Sequence, residues 1–548
     1  MQSHKRLTLL VWVVLATLAM AVSVHAASDL VPIKNLSGDT VYVPKSDLGT
    51  IITDGKKPFA GKTITITVNV AGPKGPIEGP LHEWRKPWEE LTGGKVNIVG
   101  IPYAEHYSKA MTDLLTGTGQ YDIFMAGADW YGDLIAGNYI IPIDKYLNDP
   151  RFPKWDRSAM PLSQVALHTW QGHWYGVLND SDGQVLYYRR DILTNASYRQ
   201  RFKAKYGYDL PVPPKTWEQV RDIAEFFNGW DWNGDGEPDS GMVMHLKVGG
   251  QGMFHYASLS APFVLFPGPT VDRYHNVYWF DPENMNPLIN SPGHVRALEL
   301  LLQLAKFGPS AQLSWDLGEA WDYFMRGKAV LTFSWGDVGG LVQEPGRSVI
   351  KGKLGTAMLP GTLEVWDREH NRWVKFDSPN VVGNTTGGSW HGVISALSKN
   401  PEVAYHFLAF LAMTPISQWH AYRGWDGVDP GTRHHFLAPQ GDAKLEDYVA
   451  QGWNAEDVRE YTQAYYETFF AERQLPYLRI PGGHEYWVSL DQHISEALTG
   501  AVSAKEALDR TARDWDEITN RLGRREQLEL YRQSIGYGKP YQEAMGGK

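Results

Sequence analysis

Ile64, Ile66, Val68 and Val70 alternate with polar residues in TITITVNV, the two-residue period of a half-buried strand, and predict one over Thr63 to Val70. A Gly/Pro-rich loop, AGPKGPIEGP, follows, and then an amphipathic helix through Trp84, Trp88 and Leu91. Val96 to Val99 predicts a short strand, His106 to Leu115 a helix, and Tyr121 to Met125 a further strand. Strands alternating with helices argue for an α/β protein with largely parallel sheets. Residues 27 to about 60 are more polar and predict a leader with short β-like pieces, the core beginning after it.

Helix starts are marked farther on. Thr216 with Gln219, and Ser503 with Glu506, have capping-box spacing. Ser291-Pro292 and Asn400-Pro401 each place a capping residue before a proline suited to the first helical turn. Val295 to Phe307 is apolar almost all round, a buried helix. Leu508, Ala512, Trp515, Ile518 and Leu522 follow a helical spacing, and the chain has no internal repeat.

Composition narrows the class. The chain has 548 residues, 43% hydrophobic and 21% charged, so it is a globular protein of more than one lobe. Its net charge of -10 and lack of a basic stripe argue against nucleic acid as a partner. Lys5 and Arg6, the apolar run Leu7 to Val22 and Val24-His25-Ala26 read as a signal peptide over residues 1–26, with an uncleaved anchor as the alternative. There is no cysteine, which excludes disulfides, thiolate metal sites and a lipid-modified N-terminal Cys. Export without a lipid anchor points to a Gram-negative periplasm. The 22 Trp point either to a large core or to a site that stacks on sugar rings.

DWNGDGEPDSG, from Asp231, has the spacing of a calcium loop. Asp231, Asn233, Asp235, Glu237 and Asp239 occupy alternate positions around Gly236, and Met242 stands where a bidentate Glu is needed. A structural calcium completed from elsewhere and a metal-free turn are both open.

The succession of segments resembles the bacterial ABC-transporter solute-binding proteins of the sugar-binding class (family 1), which includes maltose-binding protein. YDIFMAGADWYG with NYIIPIDKYL, GHWYGV with GQVLYYRRDIL, PPKTWEQV, FMRGKAVLTFSWGDV, LGTAMLPG, GGSWHGVISALSKNPEVAYHFLAFL and TGAVSAKEALDRTARDWDEI carry the likeness, in order, over nearly all of the mature chain. The resemblance implies two α/β lobes of the type II periplasmic binding fold, joined by hinge strands, with solute in the cleft. It implies a first lobe of residues 27–185 plus about 365–412, and a second of 186–364 plus about 413–548. Closure on a solute excludes water and penalises any hydrogen-bonding group left unpaired.

By the same resemblance, segment by segment, the cleft residues are Asp129 and Trp130 in GADWYG, and Asp180, Asp182 and Gln184 in NDSDGQ. Trp335 with Asp337 follows VLTF, Trp335 as the stacking ring. GGSWHG supplies Gly387, Gly388, Trp390 and His391, and RGWDGVDPGTR supplies Trp425, Asp429 and Arg433. Glu78 and His255-Tyr256 complete the set. Asp129 as a helix cap, Trp335 as core, and Asp429 paired with Arg433 are the structural alternatives. The chain departs from the pattern in its length, its leader and an added tail from Arg521 to Lys548.

The implied function is reversible binding of a mono- or oligosaccharide, by a monomer, for delivery to permease subunits at the inner membrane. A polyol or glycerol-type solute is the alternative, and a chemoreceptor is a further possible partner. No cofactor for chemistry is implied. An exported glycoside hydrolase is the rival class, but no acid pair sits in a recognisable catalytic context and no HExxH or GxSxG element appears.

Overall fold

A computed structural model describes residues 29–52, 55–70, 77–384, 389–424 and 428–545. The expected signal peptide, Gly387, Gly388 and Trp425 lie outside the described residues. No helix among those described is long and apolar enough to cross a membrane.

Two sheets organise the chain. The first has five strands in the order Lys95–Pro102, Thr63–Val70, Ile123–Ala126, His391–Ile394 and Gly176–Leu178. Its first three strands are parallel, and the late strand His391–Ile394 inserts antiparallel to both neighbours. The second has four strands in the order Ser240–Met242, Ala329–Ser334, Val185–Arg189 and Leu354–Met358. Val185–Arg189 runs antiparallel to both strands beside it.

Each sheet has its own core. Ile64, Ile66, Val68, Trp84, Trp88, Phe124, Phe407 and Phe410 pack in the first. Trp217, Phe227, Trp279, Phe333, Trp487 and Trp515 pack in the second. Trp84, Trp88, Trp217, Trp279, Trp321 and Trp515 are among the largest fully buried side chains. Much of the tryptophan excess therefore fills core, where each ring removes a large apolar area from water.

The predicted elements form with shifted ends, the strand expected over Tyr121 to Met125 being Ile123–Ala126 and the helix expected over Val295 to Phe307 being Pro292–Ala305. The first strand is Thr63–Val70, and the helix expected from His106 runs Tyr103–Thr116. Thr216 and Gln219 make both capping-box bonds, each at 3.3 Å. Ser503 accepts from the Glu506 N–H at 3.2 Å.

The leader corrects its expectation. Leu30–Lys34 pairs antiparallel with Thr40–Pro44, and Ile33, Val41 and Val43 enter the first core. Trp419 Nε1 donates to Asp39 at 3.1 Å, tying the hairpin to a helix at the far end of the sequence. That helix, Thr414–Arg423, puts Ile416 and Trp419 into the first core, beyond the expected division at 412. The hairpin of Thr362–Asp367 and Arg372–Asn380 packs instead on Met253–Val264, so the expected division at 365 falls inside a second-lobe element. The tail packs as well, Tyr531, Ile535 and Tyr541 joining the second core.

Candidate functional site

Residues 179–184, which link the two sheets, converge with residues 381–384 and 389–390 and with residues 428–432. Asp180 N–H donates to the Trp390 carbonyl at 2.9 Å. Asp180 Oδ1 accepts from the Asp429 N–H at 2.8 Å, and Asp182 Oδ2 from the Ser389 N–H at 2.9 Å. Asp429 Oδ2 accepts from the Gly336 N–H at 2.8 Å and from the Tyr465 hydroxyl at 2.6 Å. Tyr465 also reaches the Gly183 carbonyl at 2.8 Å. Two glycines permit this approach. A Cβ on Gly336 would lie 2.2 Å from Asp429 Oδ1, and one on Gly431 1.5 Å from Ser181 Oγ.

Four carboxylates thus share one buried place. Asp180, Asp182 and Asp429 are 4%, 5% and 2% exposed, and Asp337, at the start of the helix after Trp335, keeps a little surface. Burial raises the proton affinity of each, and neighbouring charge raises that of Asp180, Asp182 and Asp429 further. Asp180 is pushed well up by burial, then by Asp182 and Asp337. Asp182 is pushed up by burial, then by Asp429 and Asp337. Asp429 is pushed up by burial, then by Asp337 and Asp180, and Asp337 rises to about 7 through burial.

An aromatic wall from the first lobe stands alongside. Trp390 meets Trp130 edge-on at 6.3 Å and lies parallel to His106 at 6.2 Å. Tyr103 sits edge-on to Trp390 and stays partly exposed. Its phenol is pushed well up by burial, then by Asp129, Asp491, Asp182 and Asp316. Acids from both lobes therefore face Tyr103. Burial raises Asp129 to about 7 and Asp491 to about 6.

Other expected residues are held elsewhere. Trp335 is 2% exposed, stacked 5.1 Å from His245 and edge-on to Phe254, in the second core. Its carbonyl accepts from Tyr187 at 2.9 Å. His255 shares a 3.0 Å hydrogen bond with His245, and Tyr256 donates to the His294 carbonyl, deep in the second lobe. His391 faces His168 and Tyr131 in the first core. Glu78 pairs with His82 at 2.8 Å. Arg433 is exposed, and the Asp429 carboxylate takes Gly336 and Tyr465 instead of pairing with it. Gln184 lies at the seam, its Oε1 accepting from Ser258 at 2.6 Å, with Asn384 donating to the same hydroxyl.

Tyr465, Ser389, Ser258, Asn384 and Tyr103 were not singled out from the sequence. Only Tyr465 had a signal there, as the middle of the helical stripe Tyr461, Tyr465 and Phe469.

The Asp231 loop is held by its own backbone. Asp231 accepts from the Gly234, Asp235 and Gly236 N–H groups, and Asp239 from those of Trp232 and Asn233. Lys328 Nζ lies 2.6 Å from Asp235, 3.4 Å from Glu237 and 3.9 Å from Asp239. No group of acids or histidines among the described residues could hold a metal ion. Lys328 supplies the positive charge that a cation would bring, so the arrangement does not fit calcium.

Known proteins share this architecture. A ribitol complex of an ABC-transporter solute-binding protein from Agrobacterium radiobacter K84 matches with TM-score 0.63 at 20% identity, over 84% of this chain and 100% of that one. Maltose-bound MalE3 of T. maritima matches with TM-score 0.61 at 19% identity, over 84% and 100%. In sequence, a probable ABC transporter-binding protein of Deinococcus radiodurans is 24% identical over 327 residues, 59% of this chain and 66% of that protein. The match thus spans just under two thirds of that relative's length. Residues 83–440 match the family model described as bacterial extracellular solute-binding protein. With a matched stretch running from the first-lobe helix through all three converging segments, the chain belongs to the bacterial extracellular solute-binding protein family.

Proposed function

We propose that the chain captures a polyhydroxylated solute, a sugar or a polyol, at the seam of its two lobes and releases it unchanged to the permease of an ABC importer. The observation that carries this reading is the belt of hydrogen-bonding groups where the three segments meet. Asp429 Oδ1, Ser181 Oγ and Gln184 Nε2 are buried there without a partner. A buried polar atom left unpaired costs about 1–3 kcal/mol, which a solute hydroxyl can recover. Tyr103, partly exposed and backed by Trp390, offers the apolar face that a sugar C–H patch needs. Ribitol and maltose in the two similar structures are solutes of this kind.

Export to a periplasm follows from the N-terminal signal sequence, and binding without chemistry from the absence of a recognisable catalytic pair. Intrinsic tryptophan fluorescence over a panel of sugars and polyols tests the reading, since Trp130 and Trp390 stand beside the seam. The expected result is a saturable change with at least one panel member and no new reducing ends on prolonged incubation with oligosaccharides. Release of reducing ends would instead establish a hydrolase.

A further inference from the structure

We infer that the solute carries a positive charge, a protonated amine on a hydroxylated skeleton such as an amino sugar or an amino polyol. This rests on the proposed solute-binding function and names the class of solute.

The charged groups facing the four acids are themselves acids; the buried cation of the seam, Arg479, is taken up by the Ala166 and Thr169 carbonyls. The 179–184 crossing gives Asp180 and Asp182, the helix after Ser334 gives Asp337, and the 428–432 segment gives Asp429. The helix Ala455–Phe469 gives Tyr461 and Tyr465, and the strand Val185–Arg189 gives Tyr187. The hydrogen bonds that Asp180, Asp182 and Asp429 receive come from backbone N–H groups and the Tyr465 hydroxyl. No lysine, arginine or histidine among the described residues pairs with any of the four. Lys247 stands 4.0 Å from Asp316, one of the acids whose charge reaches Tyr103.

Buried charges are stable only when paired. A neutral hydroxyl can donate to a carboxylate but leaves its charge in place. An ammonium brings three donors and the missing charge together. Asp429 Oδ1, buried and unpartnered, is an acceptor waiting for such a donor. Tyr187, Tyr461 and Tyr465 each feel the Asp429 charge, so three aromatic rings stand beside the same place. Rings around a carboxylate group form a setting that attracts a cation through both the carboxylates and the π faces. A metal ion is the other cation to consider, but these acids form no group that could hold one.

The sign of the pH dependence follows. Asp337 holds its proton up to about 7, so a cation binds in competition with protons. Affinity for the amine rises as pH rises through 7, and binding below that pH releases protons. A neutral polyol displaces no proton by charge.

The test is calorimetric titration of the mature full-length chain with matched pairs: D-glucitol against 1-amino-1-deoxy-D-glucitol, and glucose against glucosamine and N-acetylglucosamine. The expected result is that an amine binds at least about tenfold tighter than its neutral partner. Its binding enthalpy at pH 6.5 should change with the buffer's ionisation enthalpy. Asp337→Asn, whose carboxylate holds no other residue in place, and Asp429→Asn, which can still accept from Gly336 and Tyr465, should each cut the amine's advantage about tenfold. Equal or tighter binding of the neutral members would overturn the cationic solute and leave the binding function standing. Silence of every panel member would overturn the binding function and the cationic solute with it.

Discussion

Trp335 shows how one side chain can be read two ways. Its place after the strand Ala329–Ser334 is that of a stacking ring, yet the ring lies on His245 and is 2% exposed. Truncation should therefore cost stability: Trp335→Ala is expected to lose about 3–5 kcal/mol in a denaturant titration, the range for a large buried aromatic. A loss below about 1 kcal/mol would show that the ring is not a packed core element. His245 and His255 beneath it are kept neutral by burial, His245 with its pKa pushed down to about 3. The acids of the converging segments were expected because resemblance aligned short segments, and the fold brings Asp180 and Asp429 within hydrogen-bonding reach of one another. Ser258 and Asn384, 126 positions apart and joined by a hydrogen bond, were not, because only the fold brings them together.

Among the elements, those with strong local signals were legible. The strand Thr63–Val70 and the capping box at Thr216 are written in period and spacing. The leader hairpin was not, because Ile33 and Val43 find their apolar partners only in the first-lobe core. The Asp231 loop was half legible: its turn is encoded locally, but Lys328, 97 positions after Asp231, supplies the charge from the start of another strand. Lys328 is expected to do there what a cation would. A melting temperature unchanged by chelator and by added calcium, and lowered by Lys328→Gln, is the predicted pattern. A rise with calcium in the unaltered chain would restore a metal to the loop.

Across the whole molecule, contacts between the lobes hold the seam shut. Tyr107 stacks on His484 at 4.2 Å, and Asp133 accepts from the Tyr107 hydroxyl at 2.7 Å and from the Gly482 N–H at 2.9 Å. Arg479, buried against Trp170, donates to the Thr169 carbonyl at 2.9 Å, at the end of a first-lobe helix. The macrodipole favours a cation there. Removing such a clasp shifts the equilibrium toward separated lobes without touching the acids that choose the solute. Asp133→Ala is accordingly expected to weaken every solute by a similar factor, seen by fluorescence titration. A change in the ratio between neutral and amine solutes would place Asp133 in recognition itself.

The central claim is reversible capture of a polyhydroxylated solute at the seam. Calorimetric titration of the mature chain with sugars, polyols and their amine counterparts, followed by chemical recovery of the solute, tests it most directly. The account predicts one binding event per chain with at least one member of the panel, and the solute recovered unchanged. No heat with any member, or a solute recovered altered, would contradict it.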